Sequence, residues 1–233
     1  NHSVGKSYLQ EYIEKIQSNI NKIEEYLNRI TGEVSSLYDS MYELSNVDEC
    51  KNFLSRVKSV LSKSINEVDR ESIEQAANDL QNFLNDIHSI EKFKDNRKDL
   101  VIELKALQNK WKYIESDIVF IPILESHKKY LINRLDQMED RWIANYIHVN
   151  EEILNWDASD CTTWLEQTKV VPSYLSDSTL TTLKETKKLV NNRLSELEVD
   201  AVISLFSKLS EDQKKLALSK MQAIVKAHYN QLN

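Results

Sequence analysis

The sequence is short of the residues that break or bend a polypeptide chain. It has two glycines and two prolines in 233 residues, whereas these residues together normally supply about a tenth of a protein. Tight hairpin turns, glycine-rich phosphate-binding loops and many-stranded sheets all depend on them. Their scarcity argues against these structures and predicts an all-α chain.

Cysteines and long apolar runs are also scarce. Cys50 and Cys161 are the only cysteines and lie far apart, with no C-x-x-C motif. Two widely separated cysteines predict a reducing, cytoplasmic environment, with a single disulfide between them as the alternative. No run of 18 apolar residues occurs, so the sequence predicts no membrane-spanning helix and no membrane partner.

The charge of the chain bears on the class of partner. The formal net charge is −7, and residues 157–233 carry ten acidic and ten basic side chains, so the acidic excess lies in residues 1–156. Non-specific nucleic-acid binding comes mainly from neutralising phosphates and normally requires the opposite balance. Nucleic acid is therefore a less favoured partner than protein.

The clearest positive feature is an apolar stripe near the start of the chain. Its members follow one another at alternating spacings of four and three residues for five heptads. This spacing is typical of coiled-coil packing and predicts a helix over residues 7–45, about 58 Å long at 1.5 Å per residue. Gly32 falls inside the pattern at a cost of about 1 kcal/mol. The stripe consists of Leu9, Ile13, Ile16, Ile20, Ile23, Leu27, Ile30, Val34, Leu37, Met41 and Leu44.

A second strict heptad run extends from Leu100 to Ile121, after a polar turn at residues 94–97. Pro122 is expected to break this helix, because proline lacks an N–H and clashes with the preceding turn. We expect the first and fourth helices, which carry these strict stripes, either to pair with each other or to zip to another chain.

The character of the sequence changes after Trp156, where helices become shorter and capping residues more frequent. Ser176 is expected to cap one helix, and Ser210 with Gln213 forms a capping box before another. We therefore predict an elongated antiparallel helical bundle with coiled-coil heptads over residues 1–156. A smaller, compact helical domain is predicted over residues 157–233.

One string near the start of the chain resembles a nucleotide-binding motif. Gly5-Lys6-Ser7 before a helix matches the second half of a Walker A loop, in which Lys6 and Ser7 would contact nucleotide. The first glycine, the preceding strand and a Walker B segment have no counterpart. Chance or a tag remnant is the main interpretation. The alternative is the coiled-coil arm of a P-loop ATPase, such as a DNA-handling or defence machine.

No other pattern indicates enzymatic chemistry. The five histidines are scattered without H-x-x-x-H or H-E-x-x-H spacing, and no G-x-S-x-G elbow is present. Cys161 is interpreted as a small buried hydrophobe rather than a catalytic thiol. We therefore predict no catalytic residue, no metal site and no cofactor.

Aromatic side chains concentrate where the two predicted regions meet. Trp156, Trp164 and Tyr174 are expected to be core residues, with a partner-binding pocket as the alternative, since Trp and Tyr dominate binding hot spots.

A locally basic helix follows in the C-terminal region. Its basic side chains are interpreted as a solvated face, with phosphate or nucleic-acid contact as the alternative. They are Lys184, Lys187, Lys188 and Arg193.

Taken together, these features predict a non-enzymatic helical scaffold or protein–protein interaction module. The chain is expected to be a fragment or a subunit of a larger assembly, because it opens at Asn1 without a methionine. Its apolar helix stripes would bind a protein partner or a second copy, making an oligomer. The ATPase arm and nucleic-acid binding through the C-terminal domain remain the alternatives.

Overall fold

The protein is all-α. The computed structural model describes the backbone of residues 2–149 and 151–231, and the side chains of residues 8–149, 151–226 and 228. Within these residues the chain forms eight α-helices and two short 3-10 helices, Glu91–Phe93 and Ile153–Asn155, and no strand. The α-helices are α1 (His2–Tyr42), α2 (Val47–Leu61), α3 (Glu67–Ile90), α4 (Arg97–Trp111), α5 (Phe120–Tyr146), α6 (Ala158–Gln167), α7 (Asp177–Ser207) and α8 (Glu211–Gln231).

The chain divides into two compact units, Asn1–Asp136 and Gln137–Asn233. The boundary between these units falls within α5, and the predicted domain boundary after Trp156 stays a prediction. The end of α5 and the residues just after it belong to the second core: Trp142 of α5, and Ile147 and Ile153 beyond it, are buried together with residues of α6 and α7.

In the first unit, α1 to α4 pack as successive neighbours, α1 on α2, α2 on α3 and α3 on α4. The second half of α1 runs antiparallel to α2, because late residues of α2 contact early residues of this half. Arg56 of α2 donates to the Oγ atoms of Ser40 and Ser36 at 2.7 and 2.9 Å. Lys63, just beyond α2, pairs with Glu33.

Helices α4 and α5 also run antiparallel. Arg97, at the start of α4, pairs with Asp136 at 2.8 Å, and Gln108, near its end, donates to Glu125 at 3.1 Å. This pairing buries the second heptad run against the other helices of the unit. The four stripe residues of α4 that are buried are Leu100, Leu104, Leu107 and Trp111.

In the first unit, an aromatic cluster lies where the end of α4 meets the start of α5. The rings of Phe83, Trp111 and Phe120 lie 4.6 to 5.2 Å apart, centre to centre. Trp111 also donates its indole N–H to Asp86 at 2.8 Å, so the buried ring keeps its one polar atom satisfied.

Pro122 begins a helix instead of breaking one. Helix α4 ends at Trp111, and Pro122 lies in the first turn of α5. The first N–H groups of a helix have no partner within it, so a proline there removes no hydrogen bond. The sequence-based expectation of a helix broken at Pro122 was therefore wrong.

Helices α2, α3 and α4 of the first unit begin at asparagine caps rather than at glycine turns. The side-chain oxygens of Asn46, Asn66 and Asn96 each accept a hydrogen bond from the backbone N–H three residues later, at 3.0, 2.8 and 3.2 Å. No described residue has a positive φ. The chain thus reverses direction several times without the left-handed conformation that glycine usually supplies.

The second unit is built around the end of α5, α6 and the first half of α7. Trp164 of α6 is buried in its core and donates its indole N–H to the carbonyl of Tyr146 at 3.1 Å. Glu139 of α5 is also buried and accepts from the backbone N–H of Ser176 at 2.9 Å and from the Thr179 hydroxyl. A negative carboxylate at the start of α7 is favourable, because a helix N-terminus carries partial positive charge. The predicted Ser176 cap is confirmed, since its Oγ accepts from the N–H of Thr179.

Candidate interaction surface

The heptad stripe of α1 is divided into two parts that differ in burial. From Ile30 to Met41 its members are buried, and Leu37 is 0% exposed. Every residue from 8 to 29 is exposed, including six stripe residues whose exposed fractions run from 42% for Ile20 to 66% for Leu9. We call residues 8–29 the free half of α1 and residues 30–42 the supported half. The free half displays three heptads of apolar side chains to solvent.

The residues beside the exposed stripe are mostly uncharged. In a heptad lettered a to g, the stripe occupies a and d, and positions e and g flank it. Counting from Ile13 as position a, the e positions of the free half are Gln10, Gln17 and Glu24, and the g positions are Tyr12, Asn19 and Tyr26. Glu24 is therefore the single charged flank among these six positions. The other charged side chains lie at b, c or f, on the outer face.

Local interactions on that outer face support the free half as a helix. Lys15 pairs with Glu11 at 3.4 Å, and Gln17 donates to Asn21 at 3.0 Å, both at a spacing of four residues. Pairs of this kind contribute about 0.2–0.5 kcal/mol each. They are too weak to hold a lone helix of this length in water, where most helical stability comes from packing. The free half thus gains stability from any partner that covers its stripe.

The second unit carries another exposed apolar region beyond Val190. That residue is the last buried one of α7, and no described side chain of α8 is buried. Ser210 and Gln213 form the predicted capping box before α8, with N–H to side-chain distances of 3.0 and 3.4 Å. The exposed large apolar side chains of this region are Val199, Val202, Ile203, Leu205, Leu216, Leu218, Met221, Ile224 and Val225.

The structure brings together the three predicted aromatic residues. Trp164 is 5% exposed, and its ring lies 6.2 Å from that of the partly buried Trp156. Tyr174 packs against the same core; burial raises the pKa of its hydroxyl, with a smaller contribution from Tyr146. These contacts bury Trp164 and partly bury Trp156 and Tyr174 within the second unit. A partner-binding role for the three residues stays a prediction.

The predicted basic face is partly committed to internal contacts. Lys187 donates to the carbonyl of Thr168 at 2.8 Å, and Arg193 donates to the carbonyl of Trp156 at 3.3 Å. Lys184 and Lys188 are exposed. The sequence alone does not show that two of these cations donate to backbone carbonyls of their own unit. Phosphate or nucleic-acid contact by the basic face stays a prediction.

The predicted nucleotide contacts and possible metal ligands add no further site geometry among the described residues. The side chains of Lys6 and Ser7 lie outside the described residues. Among the described part of the chain, no group of three or more His, Cys, Asp or Glu side chains is placed to hold a metal ion. No helix in the described part of the chain is both long and apolar enough to cross a membrane.

Both cysteines are buried free thiols. Burial raises the pKa of Cys50 to about 12, and the nearby Glu49 carboxylate adds to this effect. Burial also raises the pKa of Cys161. Because the thiolate is the reactive form, neither cysteine is activated as a nucleophile.

A half-buried histidine of the first unit, His127, was not recognised from the sequence. Nε2 of His127 on α5 is buried and makes no hydrogen bond with the described residues. Desolvation lowers its pKa; Lys51 adds to this, whereas Glu91 and Asp48 oppose it. A cavity of about 350 Å³ adjoins it, between the start of α2 and α5. No spacing in the sequence marks His127, because its environment comes from helices distant in the chain.

Comparisons of the chain with protein-family models, with curated proteins and with solved structures found no match.

Proposed function

We propose that this chain is a non-enzymatic helical interaction module whose contact surface is the stripe on the free half of α1. The observation that carries the proposal is the run of 22 successive exposed residues that keeps an unbroken heptad pattern. A soluble helix normally turns such a stripe toward a core. Exposed apolar surface of this extent, with polar flanks, is characteristic of an interaction site.

The two halves of α1 provide an internal comparison that supports this function. The same stripe, at the same spacing, is covered by helices of the first unit from Ile30 onward. It therefore has the side chains needed to bind a helix, because the supported half already binds α2. A helical partner lying on the free half would repeat that contact.

The proposal is tested by hydrogen exchange of the backbone amides of residues 9–29, measured on dilute monomeric protein. We expect these amides to exchange within seconds to minutes, while those of residues 34–42 stay protected, because only the supported half is covered. Protection of residues 9–29 in a monomer, independent of concentration, would show that the chain covers its own stripe. That outcome would rule out the free half as an interaction surface.

A further inference from the structure

We infer that the partner of the free half of α1 is a second copy of this chain, bound as an antiparallel two-helix coiled coil centred on Ser18. This inference rests on the proposed function, since it names the partner of the same surface. It follows from three features of the stripe: its pairing symmetry, the charges that flank it and the position of α2.

The pairing symmetry comes first. In an antiparallel coiled coil, a positions of one helix pack against d positions of the other. With Ser18 level with the two-fold axis, Leu9 meets Leu27 of the partner subunit, Ile13 meets the partner's Ile23, and Ile16 meets the partner's Ile20. Every exposed stripe residue is then paired, and each pair joins an a to a d position. Such a contact is self-complementary, as the common two-fold dimers require.

Other registers leave part of the stripe uncovered. Moving the partner by one heptad in either direction removes two of the six layers. In one direction it also pairs the partner's Ile13 with Ile30, which is already buried within the first unit. The register centred on Ser18 pairs all six exposed stripe residues, and its last apolar layer, Leu27 with the partner's Leu9, lies before Ile30.

The residues that flank the stripe are also compatible with a second copy of the chain as the partner. In this register Tyr12 lies opposite the partner's Tyr26, and Gln10 lies opposite the partner's Glu24. Gln17 and Asn19 each face their own symmetry mates, so amide meets amide at the centre. No like charges are brought together. Charges at e and g normally determine partner choice, and Glu24, the single charge at these positions, faces a neutral hydrogen-bond donor.

The position of α2 favours an antiparallel partner helix. Helix α2 runs antiparallel to α1 and packs on its supported half. A partner helix in the antiparallel direction continues along the line of α2, and its Leu9 lies level with Leu27, one turn before Ile30. A parallel partner would instead bring the α2 helices of both copies together at the same end of the coil, on the faces that point toward each other.

Solution mass over a hundredfold range of concentration is the first test. We expect the solution mass to rise with concentration from 27.2 kDa toward twice that value. The amides of residues 9–29 should become protected from exchange as the dimer forms. Ile16→Asp should raise the dissociation constant about a hundredfold or more, because the lost apolar contact occurs twice in the symmetric dimer. The matched control Ser18→Asp places the same charge on the outer face and should leave the dissociation constant within about twofold.

Helix direction is tested by cysteine cross-linking with a short bis-maleimide, because the native thiols are buried and will not compete. Mixing Gln10→Cys with Glu24→Cys should give a cross-linked dimer that neither variant gives alone. In a parallel, in-register coil these positions are about 21 Å apart along the axis at 1.5 Å per residue. A parallel coil would instead join Tyr12→Cys to Gln17→Cys.

The outcomes separate this inference from the proposed function. A monomer at every concentration, with rapidly exchanging amides in residues 9–29, overturns self-pairing but leaves the stripe free for a different protein. A trimer, or cross-linking of Tyr12→Cys to Gln17→Cys alone, overturns the antiparallel dimer. Concentration-independent protection in a monomer overturns both proposals.

Discussion

The two halves of α1 share one helix and one heptad stripe, yet they have different surroundings. In the supported half, Leu37 and Met41 are almost completely buried, and Arg56 of α2 donates to two serines of this half. In the free half, even the least exposed stripe residue, Ile20, keeps 42% of its surface in solvent. A heptad pattern therefore predicts that one face of a helix can be covered, but it does not predict which molecule covers that face.

This difference separates stability from association. A substitution in the supported half removes contacts within the first unit, so it should change the free energy of unfolding. A substitution at a stripe residue of the free half changes an exposed side chain, so it should change binding and leave the fold intact. The predictions below test that separation, beginning with the largest expected effect.

Leu37→Ala should lower the free energy of unfolding of the first unit by about 2–5 kcal/mol, because it leaves a cavity at a fully buried position. Ile16→Ala, the matched substitution in the free half, should change it by less than about 0.5 kcal/mol in dilute monomeric protein. Urea unfolding followed by circular dichroism measures both values. Similar losses at the two positions would show that the free half is packed on its own chain.

Arg56→Ala should cost about 0.5–1.5 kcal/mol, since it removes the hydrogen bonds that join α2 to Ser36 and Ser40. Lys22→Ala, in the free half, is the control and should leave unfolding unchanged, because Lys22 is exposed and lies eight residues before the supported half begins. The same urea titration measures both variants. An equal effect at Lys22 would contradict the assignment of residues 8–29 to a free surface.

Gly32→Ala should raise the free energy of unfolding by about 0.5–1 kcal/mol, because alanine is the better helix former. A Cβ added at Gly32 meets nothing within 4 Å, so no clash offsets the gain. Thermal and urea unfolding should both show the increase. A loss of stability would mean that the junction between the two halves needs glycine.

The smallest expected effect is a pH dependence of the free energy of unfolding from His127, which lies on α5, outside the free half. Burial holds the pKa of His127 below its usual value, so on acidification the unfolded chain takes up the proton first. Its contribution to stability is therefore full above the unfolded pKa of about 6.5 and is lost as the pH falls toward the lower, folded value. His127→Leu should flatten the decline in the free energy of unfolding between pH 7 and pH 5. An unchanged slope would assign the decline to other groups.

Much of the fold was predictable because it depends on local patterns. The scarcity of glycine and proline predicted an all-α chain. The stripe from Leu9 placed the first helix to within a few residues, and the polar residues 94–97 marked a real turn. Ser176 and Ser210 were recognised as caps because they satisfy helix N–H groups within three residues of themselves. Each of these signals lies in one short segment.

The failures have a common physical origin in contacts between distant segments. The periodicity of α5 continues smoothly from Leu131 to Trp142, so it does not show that Trp142 is buried together with residues of α6 and α7. The stripe of α1 does not reveal that its cover begins at Ile30. Lys187 and Arg193 appeared as surface cations because the carbonyls they bind, those of Thr168 and Trp156, are brought close only by folding.

The asparagine caps have a consequence for how this sequence can vary over evolutionary time. Since no described residue adopts a positive φ, no described turn depends on a residue without a side chain. The turn residues around Asn46, Asn66 and Asn96 are free to drift, provided that one short polar side chain remains at the cap itself. Related sequences should therefore share little besides the apolar spacing and these single capping positions, which makes common ancestry hard to recognise by sequence identity.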